Sequence, residues 1–552
     1  MYSYLVGILV MMLFPAAVLP AAPSAVFPVQ NAEEEKAEED EAEFVASYLP
    51  TQLQFNPMKS FTSTEAQLYT ALYEGLVSYH PLTLEPVPGV AERWESSPDG
   101  TTYRFYIRRD ARYSNGDPVR ASHFRDTWLE LLKPENESAY SFLFDVIAGA
   151  EDFRTGRNTD PESVGIYVQS PRVLRVELAH PASHFLDILC HHSFSGLHPD
   201  MLAAEDLSTV PQLIGNGPYV VEERSPEELV LTKNEQYWDR ANVSVPKLRF
   251  VFSENSAQLT QRFNDEDIDW VAGGMLLDRV KYEDTIQVNP LFATTYYFLN
   301  TARPGLSEPE VRRGLALLLP WERMRSDELH FIPAETLVPD IPYYPDDVNG
   351  MTEQRVAEGL EILREAGHPE GDGLGPLVVR MPAGIEQDPV TTAMLDAWRQ
   401  HLSIEVELET VPYDGYFDSL SDDGYAVGQI SWIADFADPL TFLQMWTSES
   451  NLNDSGFASE KFDELIRTSM SQTGNRRYQT LAESEQLLLD SAVVLPVSHS
   501  PAINLIDLNR IEGWYPNALD IHPFKYLEFS GRRPIPGTAQ RDAGRIPAGL
   551  GR

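Results

Sequence analysis

Apolar and polar residues alternate with two different periods along the body of the chain. Thr102–Arg108 (TYRFYIR) switches residue by residue, which predicts a strand with one face buried. Leu229–Thr232, Lys247–Phe252 and Glu405–Thr410 read the same way. Elsewhere the apolar positions recur every three to four residues. That spacing predicts helices over Ala121–Leu132, Thr352–Ala366, Asp388–His401, Lys461–Met470 and Arg476–Leu489. Gly367, with Pro369 beyond it, is a helix stop. Strand-type and helix-type segments interleave with no fixed repeat, so the expectation is an α/β or α+β chain of more than one lobe.

The two ends depart from this pattern. Leu5–Leu19 is an apolar run with Gly7 and Pro15 inside it, followed by the small residues Ala21, Ala22, Ser24 and Ala25, which resembles a secretory signal with its processing site. It departs from such signals in having no Lys or Arg in Met1–Tyr4, and no cysteine follows it to accept a lipid. Residues 1–25 are therefore expected to be a signal peptide, and export is the expected fate. Asn31–Glu43 is acidic and low in complexity, and residues 26–43 are expected to be a disordered linker. Residues 530–552, rich in Gly, Pro and Arg, are expected to form a disordered tail.

Charge narrows the partners. The 552 residues include 84 Asp and Glu against 42 Lys and Arg, a net charge of −42. Such a surface repels phosphate backbones, so nucleic acid is excluded as an expected partner. A salt-adapted, solvated surface accounts for the same charge. The single cysteine, Cys190, permits neither an intrachain disulfide nor a thiolate cluster within one chain.

Catalytic signatures are missing: there is no G-x-S-x-G, H-E-x-x-H, P-loop or G-x-G-x-x-G pattern. No catalytic residue and no cofactor is expected. Asp265–Asp269 imitates a calcium loop, but Trp270 stands where the sharp turn needs glycine. A helix leading into a buried strand suits it better. Cys190, His191, His192 and His198 could hold zinc or nickel. The competing reading places the adjacent histidines on opposite faces of a strand, packed or exposed, and no metal site is expected. Asp438-Pro439 has the form of a helix N-cap followed by its first residue. That pair would leave Asp435 free of a capping role.

Several segments together resemble the dipeptide- and oligopeptide-binding members of the family 5 extracellular solute-binding proteins, which serve bacterial ABC importers. They are Leu72-Tyr73-Glu74-Gly75-Leu76-Val77, then Pro88–Trp94, Ser96–Phe105 and Arg112–Phe124. Gly215-Asn216-Gly217-Pro218-Tyr219 and Asn234-Glu235-Gln236-Tyr237-Trp238 follow in order. Tyr297–Asn300, Val311–Leu315 and Ser431–Pro439 complete the set. The resemblance implies an α/β fold of the periplasmic-binding-protein type: two lobes around a hinge plus an extra α+β subdomain. Lobe I would comprise residues 44–75, 199–292 and 502–529, the subdomain 76–198, and lobe II 293–501.

By the same resemblance, Asp435 would meet a peptide α-ammonium. The main chain of Ser431–Ile433 would pair with the peptide backbone, with Phe61 and Thr62 on the other side of the cleft. Trp432, Tyr413 and Tyr140 would be aromatic walls, and His191 would occupy another pocket position. Gln429 and Leu420 stand where basic residues often occur, and Ala293 and Ile433 where a disulfide sometimes does. The implied protein is a periplasmic monomer that captures peptides and passes them to permease subunits in the inner membrane. An oligosaccharide, opine, nickel or haem on the same fold is the alternative, and a peptidase a remoter one.

Overall fold

The computed structural model describes residues 42–60, 62–136, 138–182, 184–326, 332–341, 343–383, 388–434, 436, 438–499 and 501–530. The expected signal run, nearly all of the acidic stretch and almost the whole C-terminal tail lie outside them. Among the described residues no helix is long and apolar enough to cross a membrane.

Two mixed sheets organise the body. The first has seven strands in the order Ile286–Pro290, Pro501–Ile506, Trp270–Val271, Glu43–Tyr48, Lys247–Phe252, Glu228–Lys233 and Tyr219–Arg224. The second has six, in the order Ile332–Pro333, Val494–His499, Ala293–Leu299, Val427–Ile433, Leu377–Pro382 and Val406–Val411. The chain passes from one sheet to the other between Pro290 and Ala293, and returns between His499 and Pro501. A four-stranded antiparallel sheet, Ala91–Ser96, Thr102–Ile107, Val173–Glu177 and Ile166–Ser170, carries its own helix, Ala121–Leu131. These are two α/β lobes with an added α+β unit.

The periodic segments form the elements their patterns predict, with ends displaced by one to four residues. Strand Thr102–Ile107 buries Tyr103, Phe105 and Ile107 and turns the alternate positions outward. The helix expected from Thr352 begins at Val356 instead. Residues just before it are held extended, because Arg355 N–H and the Gln354 amide bond to the carbonyls of Leu317 and Leu318. That helix ends at Gly367, whose φ of +90° closes the turn as expected. The acidic run before Trp270 does join a helix, Ser256–Asn264, to a buried strand.

Three of the matched sequence motifs converge on one carboxylate. Glu74, 5% exposed, accepts hydrogen bonds from Tyr237 Oη (2.6 Å), Trp238 Nε1 (2.5 Å) and Lys525 Nζ (3.0 Å). Its own main chain is bonded on both sides by the Asn216 amide, at 3.1 and 2.8 Å. A Cβ on Gly217 would lie 2.5 Å from the Leu72 carbonyl carbon, so only glycine allows that approach.

Candidate functional site

The principal cavity, about 650 Å³, is bounded by residues from both large sheets and from the added unit. One wall is the strand Val427–Ile433. Its pairing with the strand Leu377–Pro382 stops at Gly428, while its pairing with Ala293–Leu299 continues to Ile433. Beyond Gly428, one edge therefore has no neighbouring strand among the described residues. Tyr416 covers the first open position: its hydroxyl accepts from Gln429 N–H (3.0 Å) and donates to Gln429 O (2.7 Å). Main-chain groups alternate in direction along an antiparallel strand. Those of Ser431 and Ile433 thus point the same way as those of Gln429, away from Ala293–Leu299. Both residues line the cavity. Trp432 lies between them, 9% exposed, and its indole N–H has no acceptor among the described residues.

Opposite this strand stands the first turn of helix Ser63–Leu72. Thr62 lines the cavity but its hydroxyl is engaged, accepting from Glu65 N–H at 3.3 Å and donating to Glu65 Oε2 at 3.2 Å. Tyr140 and His191 close a third side, with ring centroids 4.4 Å apart. Tyr413 lines the cavity from helix Tyr413–Ser419. The structure thus brings Thr62, Tyr140, His191, Tyr413, Ser431, Trp432 and Ile433 to one cavity. Asp435 and Phe61 lie outside the described residues.

The histidine cluster differs from the strand expected of it. His191 caps a short turn of helix over His192–Phe194, and the two rings lie 4.0 Å apart instead of on opposite faces. The preceding apolar residues, Phe185–Leu189, form a helix, so no strand is available to separate the rings. Burial pulls the His191 imidazole down to about 3, and burial with the neighbouring ring lowers His192 as well. Both are neutral at ordinary pH. Ser60 Oγ contacts His192 Nε2 at 2.6 Å, and His198 pairs with Asp117 elsewhere. Among the described residues no group of three or more metal-ligating side chains forms.

The helix begins one residue later than the Asp438-Pro439 pair predicts, at Leu440 with Pro439 before it, and Asp438 Oδ1 accepts from Leu440 N–H at 2.9 Å. Sequence reasoning missed its second partner. Arg477 meets Asp438 through two bonds of 2.6 and 2.8 Å, both residues being buried. Nothing local signals this pair, whose members lie 39 residues apart.

One rim of the cavity is tied across the added unit and the second lobe. Asn451 Nδ2 donates to Ser138 O (3.0 Å) and to Ser141 Oγ (3.3 Å). Arg154, locked by Asp145 through bonds of 2.9 and 2.7 Å, donates to Glu449 O at 3.0 Å. Arg157 reaches the Glu449 carboxylate at 3.3 Å. These contacts hold the two walls together beside Tyr140 and Asn451, which face the cavity.

A family model described as bacterial extracellular solute-binding proteins, family 5 Middle, matches residues 85–454. The oligopeptide-binding protein OppA of Bacillus subtilis is 26% identical over 436 residues, covering 75% of this chain and 79% of its own. The periplasmic murein peptide-binding protein MppA of Escherichia coli is 27% identical over 463 residues, covering 80% of this chain and 84% of its own. The structure of the Escherichia coli murein tripeptide binding protein MppA superposes with a TM-score of 0.80 at 23% identity, over 88% of this chain and 98% of that one.

Proposed function

The chain belongs to the family 5 bacterial extracellular solute-binding proteins, and from that premise we propose that it captures peptides in the cavity between its lobes for an ABC importer. The observation that carries this reading is the open edge at Ser431 and Ile433. A peptide is an extended chain with regularly spaced N–H and C=O groups. It completes such an edge as an added strand, whatever its side chains. The Trp432 N–H, without an acceptor among the described residues, supplies a further donor for a ligand carbonyl. A cavity of about 650 Å³ leaves room for side chains and water beside a few residues of main chain. The names of the two relatives, one an oligopeptide binder and one a murein peptide binder, support the same ligand class.

Asp435 is the proposed partner of the ligand's α-ammonium. An ammonium withdrawn from water needs a carboxylate, and a charge-assisted bond in a closed cleft supplies it. Thr62 contributes surface to the site instead of a free hydroxyl. Tyr140, Tyr413 and His191 are its proposed side walls, and Phe61 belongs to the proposed opposite side. Binding free energy is spent on closing the two lobes, and the closed form is what a membrane permease would read. Export to the periplasm, action as a monomer and delivery to that permease belong to the same proposal. No catalytic step is assigned.

Native mass spectrometry of the purified protein, before and after mild denaturation, tests the reading. A ladder of small peptide masses that Asp435→Asn removes is the expected result. A single non-peptide mass, unaffected by Asp435→Asn, would overturn it.

A further inference from the structure

The cavity contains a carboxylate that the protein does not satisfy. Its charged lining among the described residues is Lys59 with Asp418, Asp454 and Asp520. Asp520 is engaged by Asn504 Nδ2 at 3.0 Å and His522 Nε2 at 3.1 Å. Asp454 is half-buried, and no donor among the described residues reaches its carboxylate. Three phenols lie near it, and each is turned to another task or to none. Tyr425 Oη bonds the Asp454 main-chain oxygen (3.2 Å) and Leu420 O (3.0 Å). Tyr416 Oη serves Gln429. The Tyr296 hydroxyl is fully buried with no partner among the described residues.

A carboxylate partly withdrawn from water without a partner carries a desolvation cost. The cost is visible here as a carboxyl pushed up to about 7 by burial. The Tyr425 bridge fixes Asp454 beside the end of helix Tyr413–Ser419, whose Tyr413 and Phe417 also line the cavity. Aromatic faces next to a carboxylate suit one kind of group: a long aliphatic stem ending in a cation. The same wall holds two other unmet needs, the Trp432 N–H and the Ser431–Ile433 edge, so this is a surface that a ligand completes.

We propose that the cavity holds a subsite for a positively charged ligand side chain, the ammonium of lysine or the guanidinium of arginine, with Asp454 as its partner. Asp418, exposed at the cavity and without an ion pair among the described residues, adds to the attraction. The proposal rests on the peptide reading and narrows it: cationic peptides are the favoured class.

Titration calorimetry of ligand-stripped protein with matched tripeptides tests it. Each set carries lysine, arginine, norleucine or glutamate at one position against an alanine background. Norleucine keeps the stem and removes the charge, so the comparison needs no variant that could fail to fold. The expected result is at least a tenfold preference for lysine over norleucine at one peptide position, with glutamate weakest there. In Asp454→Asn the lysine-to-norleucine ratio falls to near one. Equal binding of lysine and norleucine peptides at every position would overturn the subsite while leaving the peptide reading intact. So would a preference that survives Asp454→Asn. Failure of every tripeptide to bind would remove the peptide reading and the subsite with it.

Discussion

Glu74 is a buried carboxylate and Asp454 a half-buried one, and the protein treats them in opposite ways. Around Glu74, Tyr237, Trp238 and Lys525 fill the carboxylate's acceptor positions, and the Asn216 amide fixes the main chain beside it. Around Asp454, three phenols approach and none donates to the carboxylate. The first is a joint, where one buried charge ties together segments more than 400 residues apart. The second lies in the wall of a cavity. A buried charge that the chain satisfies itself belongs to the fold. A charge that it leaves unsatisfied beside a cavity is left for a ligand.

That contrast fails if the two carboxylates behave alike on mutation. The largest effect is expected at the joint. Glu74→Ala leaves Lys525 buried and unpaired, and should cost about 3–5 kcal/mol in denaturant unfolding. A loss under about 1 kcal/mol would make Glu74 as dispensable as a surface group.

The next effect has the opposite sign. Because burial raises the Asp454 carboxyl from 3.8 to about 7, ionising it opposes folding. Well below its unfolded value of 3.8 the group is protonated in both folded and unfolded chains and contributes no difference. Between pH 4 and pH 7 the parent loses stability at this residue, and above pH 7 the loss is complete. Asp454→Asn should therefore match the parent well below pH 3.8 and exceed it by on the order of 2 kcal/mol above pH 7, the amide keeping part of the burial cost. Urea unfolding at several pH values checks both the sign and the window.

A smaller effect should appear at the rim. Asn451→Ala removes two hydrogen bonds between the walls of the closed cavity, at Ser138 and Ser141. At about 0.5–1.5 kcal/mol each, ligand dissociation should quicken roughly tenfold with little change in association. Stopped-flow release of a fluorescent peptide would detect it. Arg157→Ala breaks exposed ion pairs with Glu151, Asp152 and Glu449, of which only the last crosses to the other wall, and should change affinity by less than about 1 kcal/mol, vanishing at high salt.

The same contrast explains what could be read from the sequence. The motifs that carried the resemblance include Leu72–Val77, Gly215–Tyr219 and Asn234–Trp238, and these three meet at Glu74. They are legible because a packed joint restricts residue type at several positions at once, as the steric demand at Gly217 illustrates. The periodic helices and strands were legible for the usual reason, one buried face each. Asp454 was not. In sequence it belongs to Asn453-Asp454-Ser455-Gly456, which reads as a turn. The phenols that face it, Tyr296, Tyr416 and Tyr425, come from a strand, a helix and a loop distant in sequence. The Asp438–Arg477 pair was hidden in the same way, since neither partner's surroundings are local. His191 and His192 were misplaced because the chain leaves the helix Phe185–Leu189 into a short helical turn over His192–Phe194, where the reading had put a strand.

The central claim is that a peptide completes the open edge at Ser431–Ile433. A crystal structure of the protein with a tripeptide carrying one lysine tests it most directly. The account predicts a peptide main chain hydrogen-bonded to Ser431 and Ile433, its α-ammonium on Asp435, and the lysine ammonium in contact with Asp454. A ligand seated elsewhere, with the edge at Ser431 and Ile433 left open, would contradict it.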